Sequence, residues 1–133
     1  MSEMAARPHA LVIGHKDFAA GIVSAVTAIT GRNDVFRTVS NYGLDPRATE
    51  TLVREAIADG VTTIFSDLPA GSTTMAARRA QRDHPGVTVV TGVSLPVLLD
   101  FIFAAPDAEH AIDTAVEKGR AAMIVARGTA RAD

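Results

Sequence analysis

The 133-residue sequence has no cysteine and no tryptophan, and only one tyrosine and five phenylalanines. Without cysteine there is no disulfide framework and no thiolate chemistry, which fits a reducing compartment. Aromatics make up 5% of the chain against 47% hydrophobic residues, so small aliphatic side chains must do the packing. No apolar run approaches the roughly 18–20 residues of a membrane span. Excess positive charge is lacking as well. The formal net charge of −2 gives no pull toward nucleic acid or an anionic membrane. There is no GxGxxG after the first apolar run and no GxxxxGK[ST], so a dinucleotide or nucleoside triphosphate site has no support. The four histidines form no ligand spacing with one another or with an acid cluster, so neither a metal nor a cofactor is expected. Met1 to Pro8 carries one arginine and no apolar stretch, and is expected to be a short disordered lead rather than a signal peptide. The length suits one domain, expected over residues 9–127, with a frayed tail at 128–133. The expected location is the cytoplasm.

What is present is a regular alternation. Ala10-Leu11-Val12-Ile13-Gly14 reads as a strand buried on both faces. Phe18, Ile22, Ala25, Val26 and Ile29 recur at helical spacing up to Gly31. Val35 to Val39 is a second strand, and Asp45-Pro46 opens a helix with Leu52, Val53, Ala56 and Ile57 inward, ending at Gly60. Val61 to Asp67 is a third strand. After Leu68-Pro69-Ala70-Gly71, Ser72 or Thr73 is expected to cap a third helix, which His84-Pro85-Gly86 stops. Val87 to Thr91 is a fourth strand, and Leu95 to Phe103 a very apolar helix with Pro96 in its first turn. Asp107 is expected to cap a fifth helix to about Gly119, burying Ala111, Ile112, Ala115 and Val116. Ala122 to Ala126 is a candidate last strand. This order predicts an α/β fold: a doubly wound, mostly parallel sheet of four strands with helices on both faces. In such folds ligands sit beyond the carboxyl ends of the strands, where strand order reverses.

Three strand ends bring chemistry to that edge. The first gives His15 with Lys16 and Asp17, the third Asp67, and the fourth Thr91-Gly92; the loop after the third adds Gly71 and Ser72. In a doubly wound sheet the first and third strands lie side by side, so His15 and Asp67 can be neighbours. A neutral imidazole is a competent nucleophile, and a carboxylate on its other nitrogen would fix the tautomer and steady the charge that develops on attack. If the electrophile is phosphorus, the anionic product needs donors, and the free amides of Gly71, Ser72 and Thr73 at a helix start supply them. Each part also has a plain structural role. A histidine at a strand end can be a surface residue, Asp67 a turn former and Ser72 a helix cap. Lys16 is expected to be a solvated loop charge and Asp17 to cap the first helix. His9, His84 and His110 carry no such constellation.

These residues resemble a known family. Gly14 to Gly21 (GHKDFAAG) is similar to the G-H-x-x-F-A-x-G segment of the IIA proteins of the mannose family of the bacterial sugar phosphotransferase system, nearest the amino-sugar type. Phe65 to Thr73 (FSDLPAGST) resembles their strand ending in D-L-x-G-G-[ST]-P. Val89 to Asp100 (VVTGVSLPVLLD) resembles V-I-T-G-x-N-L-P-M-L-L-E, and Ala115 to Arg120 (AVEKGR) the closing helix. The resemblance implies a cytoplasmic phosphocarrier. His15 would take a phosphoryl group from phospho-HPr and pass it to a IIB component, with Asp67 in support and Gly71, Ser72 and Thr73 at the anion-binding helix start. It also implies a homodimer that exchanges an antiparallel edge strand, for which Ala122 to Ala126 is the candidate. Contact with membrane components would be indirect only. The chain departs from the pattern at Lys16-Asp17, at Pro69-Ala70, and at Thr73, where the family has proline.

Three rivals remain at this stage. The phosphoryl-accepting domain of the dihydroxyacetone kinase system shares the fold and the histidine. A receiver-like domain phosphorylated on Asp67 would want acidic residues where the chain has Gly14-His15. A regulatory module of the same fold would bind a partner and transfer nothing.

Overall fold

A computed structural model describes residues 9–104 and 110–129. The expected lead at 1–8, the Asp107 cap and the last residues of the tail lie outside them. The described residues up to Leu95 form one compact unit. Its elements are β1 (Ala10–Gly14), α1 (Phe18–Thr30), β2 (Phe36–Ser40), α2 (Pro46–Ala58), β3 (Thr63–Ser66), α3 (Ser72–Arg82) and β4 (Thr88–Val90). The four strands form one sheet in the order β2-β1-β3-β4, and every pairing is parallel.

The apolar run of β1 reads as a central strand because it is one: Ala10 to Ile13 have no exposed surface at all. Alternate residues face opposite ways. Leu11 and Ile13 join Val39 and Ile64 on one face, against Val53 and Ala56 of α2 and Ala76, Ala77 and Ala80 of α3. The other face carries Val12 beside Phe65, whose ring meets Phe36 edge-on at 6.0 Å. Burying each large apolar side chain contributes about 1.5–3 kcal/mol. With three alanines inward, α3 can lie close to the sheet. Ala19 and Val26 are the buried residues of α1. Ile29, expected inward, is 58% exposed, in the last turn of α1 before its Gly31 C-cap.

The strand order decides where a site can form. From β1 the chain crosses to β2 on one side and later returns to β3 on the other, so order reverses between β1 and β3. Their register pairs Ile13 with Ser66. One residue further, both strands open at the same edge, with Gly14-His15 beside Asp67.

The described residues from Pro96 onward form a second compact unit. It holds α4 (Leu95–Phe103) from its second residue onward, and α5 (Ala111–Ala122). In α4, Val97, Leu98 and Ile102 are buried. In α5, Ala115 and Gly119 are buried, while Ala111, Ile112 and Val116 are half-buried. The expected last strand at 122–126 is absent among the described residues. Ala122 ends α5, and residues 123–129 have no regular structure. Met123, Ile124 and Val125 are 83%, 77% and 77% exposed. An isolated apolar run has the propensity of a strand, but a strand forms only against another edge. No helix among the described residues is long and apolar enough to cross a membrane.

Candidate functional site

The site begins with a backbone turn. After Gly14 the chain folds back at Lys16, whose φ is +48°, and the Phe18 amide donates to the His15 carbonyl at 2.9 Å. A Cβ on Gly14 would lie 2.6 Å from Phe18 Cδ2. Glycine at this place therefore lets Phe18 close over the strand end and start α1 immediately. The histidine is left at the rim with its side chain 45% exposed.

Asp67 sits opposite, its side chain only 8% exposed. Its Oδ2 accepts twice from His15: from the backbone N–H at 2.8 Å and from ring Nδ1 at 2.7 Å. A carboxylate only accepts, so Nδ1 carries the proton and the neutral ring keeps its lone pair on Nε2. Nε2 has no hydrogen-bond partner among the described residues. The second carboxylate oxygen, Oδ1, accepts from the Thr73 hydroxyl at 2.8 Å. Burial alone would raise the Asp67 pKa. The His15 amide, the His15 ring and the Thr73 hydroxyl outweigh it, and the group lies below its ordinary value.

Gly71 connects the two halves. Its φ of +118° and ψ of 176° fall in a region that essentially only glycine occupies. A Cβ there would touch His15 Cε1 at 3.7 Å, so the start of α3 lies against the imidazole edge. No side chain caps α3. Ser72 and Thr73, expected as caps, are instead its first two helical residues. The Ser72 hydroxyl accepts from Asn41 Nδ2 at 2.9 Å, which leaves its own proton to donate elsewhere. Thr74 and Ser66 bond to each other at 2.7 Å, and the Thr74 hydroxyl donates to the Leu68 carbonyl, which pins the 67–71 loop to the helix. Among the described residues no buried side-chain polar atom lacks a partner.

The structure thus brings together His15, Asp67, Gly71, Ser72 and Thr73. Thr91-Gly92 takes no part in these bonds; the chain turns at Gly92 and the Val93 amide donates to the Ser66 carbonyl. Asp17 occupies the N-cap position of α1, but its side chain caps nothing, because its backbone stays in the turn that begins at Lys16. Lys16 is not simply solvated: its Nζ lies 5.2 Å from the centre of the Tyr42 ring, a cation–π contact. Asn41 and Ser40 were missing from the sequence-based site. Ser40 Oγ donates to the Lys16 carbonyl at 2.8 Å, so the end of β2 braces the His15 turn. The signal lay in two polar residues following Val39 at the same edge of the sheet. Among the described residues no group of three or more His, Asp or Glu is placed to hold a metal.

Solved structures share this architecture. A phosphotransferase system EIIA component from Streptococcus agalactiae superposes with a TM-score of 0.79 at 15% identity, covering 87% of this chain and 95% of that one. A mannose/sorbose-specific IIA subunit from Enterococcus faecalis gives 0.78 at 14% identity, over 95% and 99%. A IIA protein associated with a fucose utilization operon in Streptococcus pneumoniae gives 0.77 at 22% identity, over 92% and 96%. At these identities the likeness concerns the fold. No curated protein matches the sequence. The family model for the fructose IIA component of the phosphotransferase system matches residues 9–119, which span every element from β1 into α5. The chain therefore belongs to the EIIA-man family of phosphotransferase system IIA components.

Proposed function

We propose that the protein is a cytoplasmic phosphocarrier in which His15 Nε2 accepts a phosphoryl group from phospho-HPr and passes it to a IIB component. Family membership supports a phosphotransfer role in sugar uptake. The observation that carries the finer reading is the 2.7 Å contact of His15 Nδ1 with Asp67 on a half-exposed ring. The Nε2 lone pair attacks phosphorus on the donor's phosphoimidazole. A new N–P bond forms as the old one breaks, and its electron pair returns to the donor ring. The proton stays on Nδ1, donated to the Asp67 carboxylate, whose negative charge offsets the positive charge the His15 ring gains. The phosphoryl oxygens then meet the Ser72 hydroxyl and the first-turn amides of α3, where the helix dipole contributes about 0.3–1 kcal/mol. Transfer to the IIB component repeats the exchange in the other direction. The same reading makes the protein a homodimer. The exposed Met123, Ile124 and Val125 favour a second copy; sedimentation as a monomer at micromolar concentration would overturn the dimer.

The test is incubation with phosphoenolpyruvate, the general enzyme of the system and HPr, followed by intact-mass measurement. The expected result is an acid-labile, base-stable gain of one phosphoryl group that is lost in His15→Ala. No gain in the unaltered protein points to a module that binds without transfer. A gain that persists in His15→Ala points to another site.

A further inference from the structure

We propose that Thr73 is a positioning residue: its buried hydroxyl, donating to Asp67 Oδ1, turns the carboxylate so that Oδ2 alone faces His15 and Nε2 is the ring nitrogen left free. The inference rests on the phosphocarrier reading for its consequence but not for its test. Thr73 has no exposed surface, and its hydroxyl lies 2.8 Å from Oδ1. Oδ2 already accepts from two N–H groups of one residue, His15. Those two bonds anchor Oδ2 only; with Oδ1 unheld the carboxylate can tilt about its Cβ–Cγ bond, which lengthens the Nδ1 contact and weakens the preference for a proton on Nδ1. The third bond, from a hydroxyl on a different element, removes that freedom. It is also rigidly based. Thr73 is the second residue of α3, and the Gly71 turn and the Ser66–Thr74 contact hold the start of that helix. A helical threonine has two χ1 rotamers open to it, and complete burial with the bond to Oδ1 selects one of them. The path therefore runs from α3 through Asp67 to the tautomer of His15.

The experiment uses the full chain, unphosphorylated, with Thr73→Val and Thr73→Ser. Long-range ¹⁵N–¹H spectra report the His15 tautomer, and carboxyl ¹³C titration reports the Asp67 pKa. The expected result for Thr73→Val is a shift of His15 from mostly Nδ1–H toward a mixture of tautomers, with the Asp67 pKa raised. Thr73→Ser restores both. The rate of phosphoryl gain should fall about threefold to tenfold in Thr73→Val, part of what a hydrogen bond to a charged group is worth. A tautomer and a carboxyl titration unchanged in Thr73→Val overturn the proposal. So does loss of both in Thr73→Ser, which would assign the effect to packing of the methyl group. If Thr73→Val does not fold, Thr73→Ala against Thr73→Ser makes the same comparison. A protein that takes up no phosphoryl group would refute the phosphocarrier reading, while the two NMR readouts still decide the role of Thr73.

Discussion

The starts of α2 and α3 lie at the same edge of the sheet and are closed differently. At α2, Asp45 takes an extended backbone and its carboxylate accepts the Ala48 amide at 2.8 Å, with Pro46 in the first turn. That end is sealed by its own side chain. At α3 the N-cap residue is Gly71, which has no side chain to offer, and the hydroxyls of Ser72 and Thr73 are turned to Asn41 and Asp67. The first-turn amides of a helix have no partners within it. At α3 no side chain among the described residues caps them, and they lie beside the half-exposed His15 imidazole bonded to Asp67. A sealed end serves stability; an open end beside a half-exposed imidazole gives up a cap and, under the proposed function, leaves donors for an anion.

The comparison can be broken in four ways, from the largest expected effect to the smallest. Asp67→Asn keeps the shape but offers an amide where a charge stood. Phosphoryl transfer should slow about 10- to 100-fold, the value of one or two hydrogen bonds to a charged group, with far-UV circular dichroism unchanged. A rate equal to the original removes Asp67 from the mechanism. Gly71→Ala puts a Cβ on a backbone that resists one. Urea denaturation should show a loss of about 1–3 kcal/mol, and its transfer rate should fall as well. Asp45→Ala unseals α2 and should cost about 1 kcal/mol while leaving transfer alone. If it slows transfer as much as Asp67→Asn does, the two helix starts do not have separate tasks.

The smallest effect is a pH dependence. The folded-state pKa of Asp67 lies below its ordinary value, so the stability it contributes is complete above the ordinary carboxylate range and is lost as pH falls through the folded value. The melting-temperature advantage over Asp67→Asn should shrink on acidification through that window. An advantage that stays constant contradicts the hydrogen-bonding pattern described here.

Much of this was legible in the sequence where local signals agreed. The run Ala10 to Gly14 and the helix Leu95 to Phe103 end where the apolar pattern and Pro96 place them. The meeting of His15 with Asp67, 52 positions apart, followed from alternation alone, because a doubly wound sheet sets the first and third strands together. Illegible were the features that depend on side-chain direction. Ser72 and Thr73 have the composition of caps, but the backbone of Gly71 starts the helix one residue early and sends both hydroxyls elsewhere. Thr73 registers in the sequence as a candidate cap and anion-binding amide and as a departure from a pattern with proline; its bond to Asp67 needs the fold. Asn41 was missed because the end of β2 was not weighed with the other strand ends. The run Ala122 to Ala126 has the apolar pattern of a strand, but propensity cannot supply the edge a strand needs.

The central claim is that Asp67 holds Nδ1 of His15 and leaves Nε2 to react. The direct measurement is phosphorus–nitrogen coupling by NMR on the phosphorylated, ¹⁵N-labelled protein. The account predicts an N–P bond at Nε2 of His15. A bond at Nδ1, or at any other residue, contradicts it.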